Sequence, residues 1–380
     1  MKSPSLPLPP GSTIGILGGG QLGRMTAMAA KSMGYKVLCL DPTPASPCGQ
    51  VCDGQVIGSL SDPAAAFALA RQADLVIYEF ENIAAEVIRA LEEHHHVPQG
   101  SRILAIAQNR ILEKGHLVAH GFPVAPYRVV HAEEDLAAAV AEVGLPAVLK
   151  SATGGYDGKG QLVMRDGNGL SAGLAMVARG GSWVVEEFIE LVQEVSVIIA
   201  RRASGESTLF PMAENRHREN VLSTTIVPAR VSQQVEQEAL AYALGIANSL
   251  DLVGILAVEM FVTARGVIVN EFAPRPHNSG HFSLGACYTS QFEQFVRAVA
   301  GLPLGATDLL YPAVMVNILG RDMDSVRENW ATLQLAGQVH LYGKSGAPEE
   351  RRKMGHLLLR TTDPECAKSW VEGVLRRSIV

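Results

Sequence analysis

The chain has 380 residues, 47% apolar and 18% charged, with 32 basic against 38 acidic side chains and a formal net charge of −6. That length supports two or three domains with substantial cores, and the charge lacks the basic excess of a general nucleic-acid binder. Five cysteines at positions 39, 48, 52, 287 and 366, without a repeated CxxC ligand set, suit a reduced cytoplasmic protein better than a disulfide scaffold.

The first ten residues, with KSPSLPLPP, read as a loose tail, and no run of about 18 charge-poor apolar residues marks a membrane span. Residues 13–17 are a short apolar run followed by a glycine cluster, a helix over 25–33 and a second strand at 36–40. A helix near 63–71 and a strand at 75–78 continue the pattern, which predicts a mostly parallel α/β sheet. One helix is expected over 101–120, then a strand at 147–150 that leads into SATGGYDGKGQLV, a small α+β lobe with a loop able to cross a ligand. Segments 183–189 and 193–199 read as neighbouring strands joined by a tight connection. Beyond them the pattern predicts a helix at 232–244, strands at 257–262 and 266–272, and a helix from near Tyr288. Domain bounds are expected at 1–112, 113–196 and 197–380.

Gly18, Gly20 and Gly23 satisfy GxGxxG directly after a strand, where glycines allow a tight turn and a helix N-terminus offers amides to an anion. Asp41 ends the second strand, where a ribose-binding acid of a dinucleotide site would stand. The same loop also suits another anionic substrate framed by Gln21, or simply close helix packing.

The second loop is more informative. Residues 151–161 carry four glycines around Asp157 and Lys159, with Lys150 at the preceding strand end, which suits a phosphate cover as well as an ordinary mobile hairpin. It is not a Walker loop. Glu186 and Glu187 precede Phe188 and Ile189, and Glu194 follows; an apolar linker can hold adenine and an acid can hold ribose hydroxyls, while a solvated edge is the plainer alternative.

The strongest local argument lies in AVEMFVTARGVIVNEFAPRP, residues 257–276. A three-residue connection with Gly266 at positive φ would set Thr263 against Val267 and therefore Glu259 against Glu271. Two facing carboxylates need a cation, and Mg²⁺ suits oxygen ligands and ATP phosphates. Asn270 is a further oxygen donor, although strand alternation turns it away unless a bulge redirects it. The alternative is one buried acid paired to Arg275 and one facing solvent. Arg275, His277, Asn278 and Ser279 then supply donors beside the proposed metal, suited to bicarbonate or a transferring phosphoryl group; His277 and His281 lack the further ligands zinc requires.

These elements together resemble the N5-carboxyaminoimidazole ribonucleotide synthetase family of ATP-grasp enzymes. The likeness rests on GILGGGQLGRM at 15–25, YEFEN at 78–82, LKSATGGYDGKGQ at 149–161, VEEFI at 185–189, EVSVI at 194–198, NEFAPRPHNSGH at 270–281 and RKMGH at 352–356. It implies a three-domain ATP-grasp fold, α/β and α+β, with an N-terminal Rossmann-like parallel sheet domain, assembled as a homodimer in the cytoplasm. It implies ATP with Mg²⁺ as cofactors, and bicarbonate and aminoimidazole ribonucleotide as substrates, joined through carboxyphosphate in purine biosynthesis. No nucleic-acid or membrane partner is expected.

By the same resemblance Arg110, Lys150, Gly155, Tyr156, Gly158 and Lys159 meet the nucleotide. Glu186, Glu187, Phe188 and Ile189 hold adenine, Glu194 holds ribose, and Glu259 and Glu271 hold Mg²⁺ with Asn270 nearby. Gln21, Leu22, Glu79, Tyr156, Asp157, Ser279, Arg352 and Lys353 line the ribonucleotide site. Asp157, Arg275, His277, Asn278 and Lys353 are the catalytic candidates. Glu214 and Asn215 are plausible pocket residues, whereas Arg216, His217 and Arg218 read as loop decoration. Asn109 departs from the family, which commonly has an acid there.

Overall fold

The computed structural model describes residues 6–155, 160–346 and 349–376, and three sheets form among them. The first is all parallel: β1 (Thr13–Leu17), β2 (Lys36–Asp41), β3 (Gly54–Ile57) and β4 (Leu75–Tyr78) lie in the order β3-β2-β1-β4. Ile14, Ile16 and Leu17 of β1 are buried, as expected where helices cover both faces of a sheet. Between β1 and the helix Gln21–Ser32, Gly18 turns the chain at φ +111°, a region that side chains disfavour.

The single helix expected over 101–120 is two helices, Ser101–Ala107 and Arg110–Ala119. Asn109 leaves helical geometry and its side-chain oxygen accepts the amides of Ile111 and Leu112 at 3.0 and 3.4 Å. The break therefore comes from an N-cap set inside an unbroken apolar pattern, and Asn caps as well as Asp does. Its effect is to start a new helix with Arg110, Glu113 and Lys114 on one face.

The second sheet is antiparallel, with β5 (Tyr127–Val130), β6 (Ala147–Ser151), β7 (Gln161–Met164) and β8 (Trp183–Glu187) in the order β5-β8-β6-β7. It has its own core of Leu136, Leu149, Met164 and Val185.

The third sheet contains β9 (Gln193–Arg201), β10 (Ser207–Leu209), β11 (Ala213–Arg218), β12 (Val221–Val227), β13 (Gly254–Thr263), β14 (Gly266–Ala273), β15 (Ala313–Leu319), β16 (Gln338–Leu341) and β17 (Lys353–Arg360). Its order is β14-β13-β9-β11-β12-β15-β17-β16, with β10 on β9. Ile198, Phe210 and Phe295 on this side share a core with Ile16 and Val37 of the first sheet.

The expected pairing of 183–199 as adjacent strands does not occur, because β8 and β9 belong to different sheets. The connection is tied at each end to a different lobe: Phe188 N–H donates to the Pro146 carbonyl at 3.1 Å and Val192 N–H to that of Val262 at 2.8 Å. The expected bounds at 112 and 196 fall inside the helix Arg110–Ala119 and inside β9. The helix expected at 232–244 runs Gln233–Ser249 behind a Ser232 cap, and the one expected near Tyr288 starts at Gln291 behind Ser290. Among the described residues no helix is long and apolar enough to cross a membrane.

Candidate functional site

The β13–β14 hairpin sets the first half of the site. Its connection has two residues rather than three, so Thr263 pairs with Gly266 and Val262 with Val267. That register alone would offset the two acids by one residue. A bulge between Glu259 and Met260 of the pairing takes up Asn270 as the extra residue and restores Glu259 opposite Glu271. The expected pair is present, with the turn corrected and the bulge as its cause. Asn270 Oδ1 is buried without a hydrogen-bond partner, and three side-chain oxygen donors thus stand in consecutive or cross-strand positions.

Charges around the pair are unequal. Arg110 Nη2 lies 3.1 Å from Glu271 Oε2. Burial favours a neutral Glu271, but Arg110 and Lys150 override it and hold the carboxyl below its ordinary range. Among the described residues Glu259 has no such cation in contact, and burial together with the Glu271 charge pushes its carboxyl up to about 7. Glu113 accepts the Phe272 amide at 2.7 Å and is raised to about 8, again by burial and Glu271. A carboxylate cluster short of positive charge, beside an unpartnered amide oxygen, fits a hard cation such as Mg²⁺.

Lys114 and Lys150 both reach Glu186 Oε2, at 3.2 and 2.9 Å. Burial would raise Glu186, yet the two ammonium groups hold it down at about 2. The Glu186 carboxylate is therefore the counter-charge of a lysine pair, and Lys114, passed over in the sequence as a site residue, belongs to the cluster. Glu187 faces Arg265 at 3.4 Å, and its amide is taken by the Pro126 carbonyl. Phe188 lies under the Arg165 guanidinium, 5.2 Å from its ring centre, and Ile189 is buried.

After β14 the chain enters the segment of Arg275, His277 and Asn278. Arg275 does not pair with the Glu259–Glu271 couple: it forms a fork with Glu81, Nη2 to Oε1 at 2.8 Å and Nε to Oε2 at 3.2 Å. His277 is held by a directional chain. Thr225 Oγ1 donates to Asn215 Oδ1 (3.0 Å), Asn215 Nδ2 to Ser196 Oγ (2.8 Å), and Ser196 Oγ to Ser279 Oγ (2.8 Å). Ser279 then offers its hydroxyl (2.9 Å) and its amide (3.3 Å) to His277 Nδ1. With Nδ1 accepting, the proton of the neutral ring is on Nε2, which faces Glu259 Oε1 at 3.1 Å. Burial and the neighbouring Arg275 keep that ring neutral. Ser279 is thus a buried support for His277, which corrects its expected place among ligand-facing groups. Both amide atoms of Asn278 are buried without a partner, as a ligand-facing group would be.

Glu81, Arg110, Glu113, Gly155, Glu259, Glu271, Arg275 and His277 border one cleft of about 80 Å³.

The first glycine loop is closed by the protein itself. Glu79 accepts the Gly20 amide at 2.8 Å and the Gly23 amide at 3.1 Å, and Asp41 accepts that of Gly19 at 2.9 Å. A Cβ on Gly18 would stand 2.7 Å from Glu79 Oε1. The amides that a pyrophosphate would need are already held by carboxylates, which removes the dinucleotide reading and makes Glu79 a brace of the loop. Leu22 is buried against Met25, Phe292 and Tyr342, so its side chain supports the loop from behind, while Gln21 opens the helix half-buried.

Glu194 pairs with His217, and that contact raises the ring's pKa against the opposing effect of burial. His217 thus stands at the site; the sequence signal for it is a polar strand carrying Asn215 and His217, which reading the segment as loop obscures. Lys353 opens β17 and its charge acts on Glu259, His217 and His277. Arg352 Nη1 donates to the Ser345 carbonyl at 2.9 Å. Tyr156, Asp157, Gly158 and Lys159 lie outside the described residues.

The same three-part organisation occurs in known families. Residues 12–108 match the ribonucleotide synthetase preATP-grasp domain, residues 115–292 the ATP-grasp domain, and residues 313–369 the phosphoribosylaminoimidazole carboxylase C-terminal domain. The chain is 46% identical over 369 residues to the N5-carboxyaminoimidazole ribonucleotide synthase of Bacillus subtilis, covering 97% of this chain and 96% of that protein. It is 43% identical to the synthase of Brucella melitensis, over 92% of this chain and 96% of that one. Among solved structures, an ADP complex of an N5-carboxyaminoimidazole ribonucleotide synthetase superposes with a TM-score of 0.93 at 47% identity, covering 98% of both chains. The Aspergillus clavatus synthase with ADP and 5-aminoimidazole ribonucleotide superposes at 0.88 with 28% identity, over 96% of this chain and 98% of that one. The chain has the ATP-grasp fold with a parallel N-terminal sheet, and it belongs to the N5-carboxyaminoimidazole ribonucleotide synthase family.

Proposed function

We infer that the chain carboxylates 5-aminoimidazole ribonucleotide on its exocyclic amine, with ATP and bicarbonate consumed and ADP and phosphate released, in purine biosynthesis. The observation that carries this reading is the Glu259–Glu271 couple with the unpartnered Asn270 oxygen, set beside Arg110, Lys114 and Lys150 in a chain of this family.

Glu259, Glu271 and Asn270 would hold Mg²⁺, which supplies positive charge to the oxygens of the transferring phosphoryl group. Arg110 and Lys150 face the same charge from the protein side, and Glu194 with His217 marks the ribose end of the nucleotide. A bicarbonate oxygen attacks the γ-phosphorus and ADP leaves, giving carboxyphosphate. Arg275, fixed in orientation by Glu81, presents its guanidinium to the bicarbonate, and Asn278 supplies an amide at the same place. His277 acts as a neutral donor through Nε2, since its Nδ1 is committed to Ser279. Carboxyphosphate then splits to CO₂ and phosphate, the amine attacks the carbon, and the departing phosphate or Asp157 takes the amine proton. Lys353 with Gln21 marks the ribonucleotide side, along the loop that Glu79 braces. Gly155 lines the cleft, and Tyr156, Gly158 and Lys159, which follow it in sequence, are assigned to the nucleotide by the family likeness.

The division into domains of about 1–112, 113–196 and 197–380 belongs to this proposal, with each bound moved to the nearest connection, at 108–109 and 188–192. So does a homodimer. A surface cleft of about 480 Å³, lined by Met28, Leu284, Tyr288 and Leu341 together with Arg24, Glu293 and His340, offers it a mixed face, with Tyr288 69% exposed. Tyr288→Glu should then shift sedimentation toward the monomer. Cytoplasmic residence, where ATP and the ribonucleotide are made and five free cysteines stay reduced, completes the reading.

The test is ADP release in mixtures lacking, in turn, bicarbonate or aminoimidazole ribonucleotide, with the organic product identified by mass. The reading predicts a carboxylated ribonucleotide only in the complete mixture. A product made from another acid or amine would overturn it.

A further inference from the structure

Three thiols converge behind the first glycine loop, outside the machinery described above. Cys39 on β2 and Cys48 and Cys52 on the turn that follows bring their Sγ atoms within 4.8 Å of one another. The Cys48 and Cys52 sulfurs lie 3.3 Å apart. Cys39 and Cys48 are fully buried and Cys52 is partly exposed, so the cluster is closed on the core side and reached from solvent past Cys52. The other cysteines, Cys287 and Cys366, are not part of it.

Asp53, next to Cys52, is paired with Lys31 at 2.5 Å, and Asp41 accepts the Gly19 and Thr43 amides, so the three thiols are the ligand set. The turn is also mechanically joined to the loop: Cys48 N–H donates to the Gly19 carbonyl at 2.9 Å, and Gln50 Nε2 donates to the Gly343 carbonyl at 2.6 Å.

We propose that Cys39, Cys48 and Cys52 form a binding site for one thiophilic divalent cation of the Zn²⁺ type. Thiolates select soft or borderline cations over Mg²⁺, so this site and the Glu259–Glu271 site would not compete for one ion. Zn–S bonds of about 2.3 Å at tetrahedral angles place sulfurs roughly 3.8 Å apart, so the trio needs only a small opening of the Cys48–Cys52 pair. Binding forms three metal–sulfur bonds and releases three thiol protons to solvent, with no electron transferred; water takes the fourth position on the Cys52 side. The bound cation would pin the turn and, through Cys48, the Gly19 carbonyl, and so stabilise the first loop.

Co²⁺ is the probe, added to the reduced full-length protein without oxygen. One equivalent should produce the intense near-ultraviolet sulfur-to-cobalt charge-transfer band, which carboxylate sites do not give, and Zn²⁺ should abolish it. The band should vanish in Cys39→Ser and in Cys52→Ser and persist in Cys366→Ser. Zn²⁺ should raise the unfolding midpoint of the unaltered chain and leave that of Cys52→Ser unchanged, a variant whose partly exposed position keeps the fold intact. No charge-transfer band at excess Co²⁺, a band that survives Cys52→Ser, or a Cys48–Cys52 disulfide in protein prepared without oxygen would each overturn the proposal.

Discussion

Two regions of the molecule treat buried polar groups in opposite ways. At the first glycine loop the chain answers its own donors, with Glu79 on the Gly20 and Gly23 amides and Asp41 on the Gly19 amide. Around the β13–β14 hairpin it leaves groups unanswered: among the described residues Asn270 Oδ1 and both amide atoms of Asn278 have no partner, and Glu259 lacks a cation in contact. Satisfied groups define a scaffold, whereas unsatisfied ones in a native structure mark where a ligand completes the network. Glycine patterns alone misdirect on this point, because the loop that most resembles a nucleotide fingerprint is the one already filled.

The contrast can be broken at either end. The largest effect is expected for Glu271→Gln, which keeps the side-chain volume and removes a charge from the cleft. Turnover should fall about 10²- to 10³-fold while the unfolding midpoint moves little, as read by steady-state kinetics beside calorimetry. A loss of stability matching the loss of rate would make Glu271 part of the scaffold instead.

Gly18→Ala should do the reverse. The residue adopts φ +111°, and its Cβ would meet Glu79 at 2.7 Å, so the fold should lose about 1–3 kcal/mol in urea unfolding. Turnover with saturating substrates should change less than stability does.

A third prediction concerns pH. Glu259 titrates at about 7 because of burial and the Glu271 charge, and cation binding needs it ionised. The affinity of the nucleotide-free protein for Mg²⁺, followed by calorimetry, should weaken about tenfold per pH unit below that value. For the free protein the sign is the opposite: a raised carboxyl contributes stability while protonated, and this contribution is lost as pH rises through about 7. A flat Mg²⁺ affinity across this window would remove Glu259 from the cation site.

The smallest effect tests the chain behind His277. Ser279→Ala removes a hydroxyl donor from Nδ1 and leaves the Ser279 amide in place. The turnover number should drop about three- to tenfold, with the KM for ATP unchanged. Nitrogen-15 spectra of labelled histidine should show His277 protonated on Nε2 in the unaltered chain and a mixed tautomer in the variant. A ring protonated on Nδ1 in the unaltered chain would contradict the direction of the chain.

Much of this architecture is legible from residue patterns, for reasons that can be located. Strands such as Thr13–Leu17 and Leu75–Tyr78 emerge at their observed limits because buried parallel strands leave continuous apolar runs. The Glu259–Glu271 pairing is also legible, yet through a turn one residue too long and without the bulge at Asn270; two displacements cancel. Helix periodicity runs through Gln108 and Asn109 unbroken, so the N-cap that starts a new helix at Arg110 has no apolar signature. Partners distant in sequence are the hardest to read. Nothing local to Glu81 announces Arg275, 194 residues later, and nothing near Glu186 announces Lys114. Sequence shows which residue types are available, and the sheet order decides which of them meet.

The central claim is that the cleft couples ATP cleavage to bicarbonate activation. Bicarbonate labelled with oxygen-18, given with ATP and aminoimidazole ribonucleotide, tests it directly by mass analysis of the released phosphate. The account predicts one labelled oxygen in that phosphate, carried over from the attacking bicarbonate. Phosphate free of bicarbonate oxygen, in a mixture that still forms the carboxylated product, would contradict it.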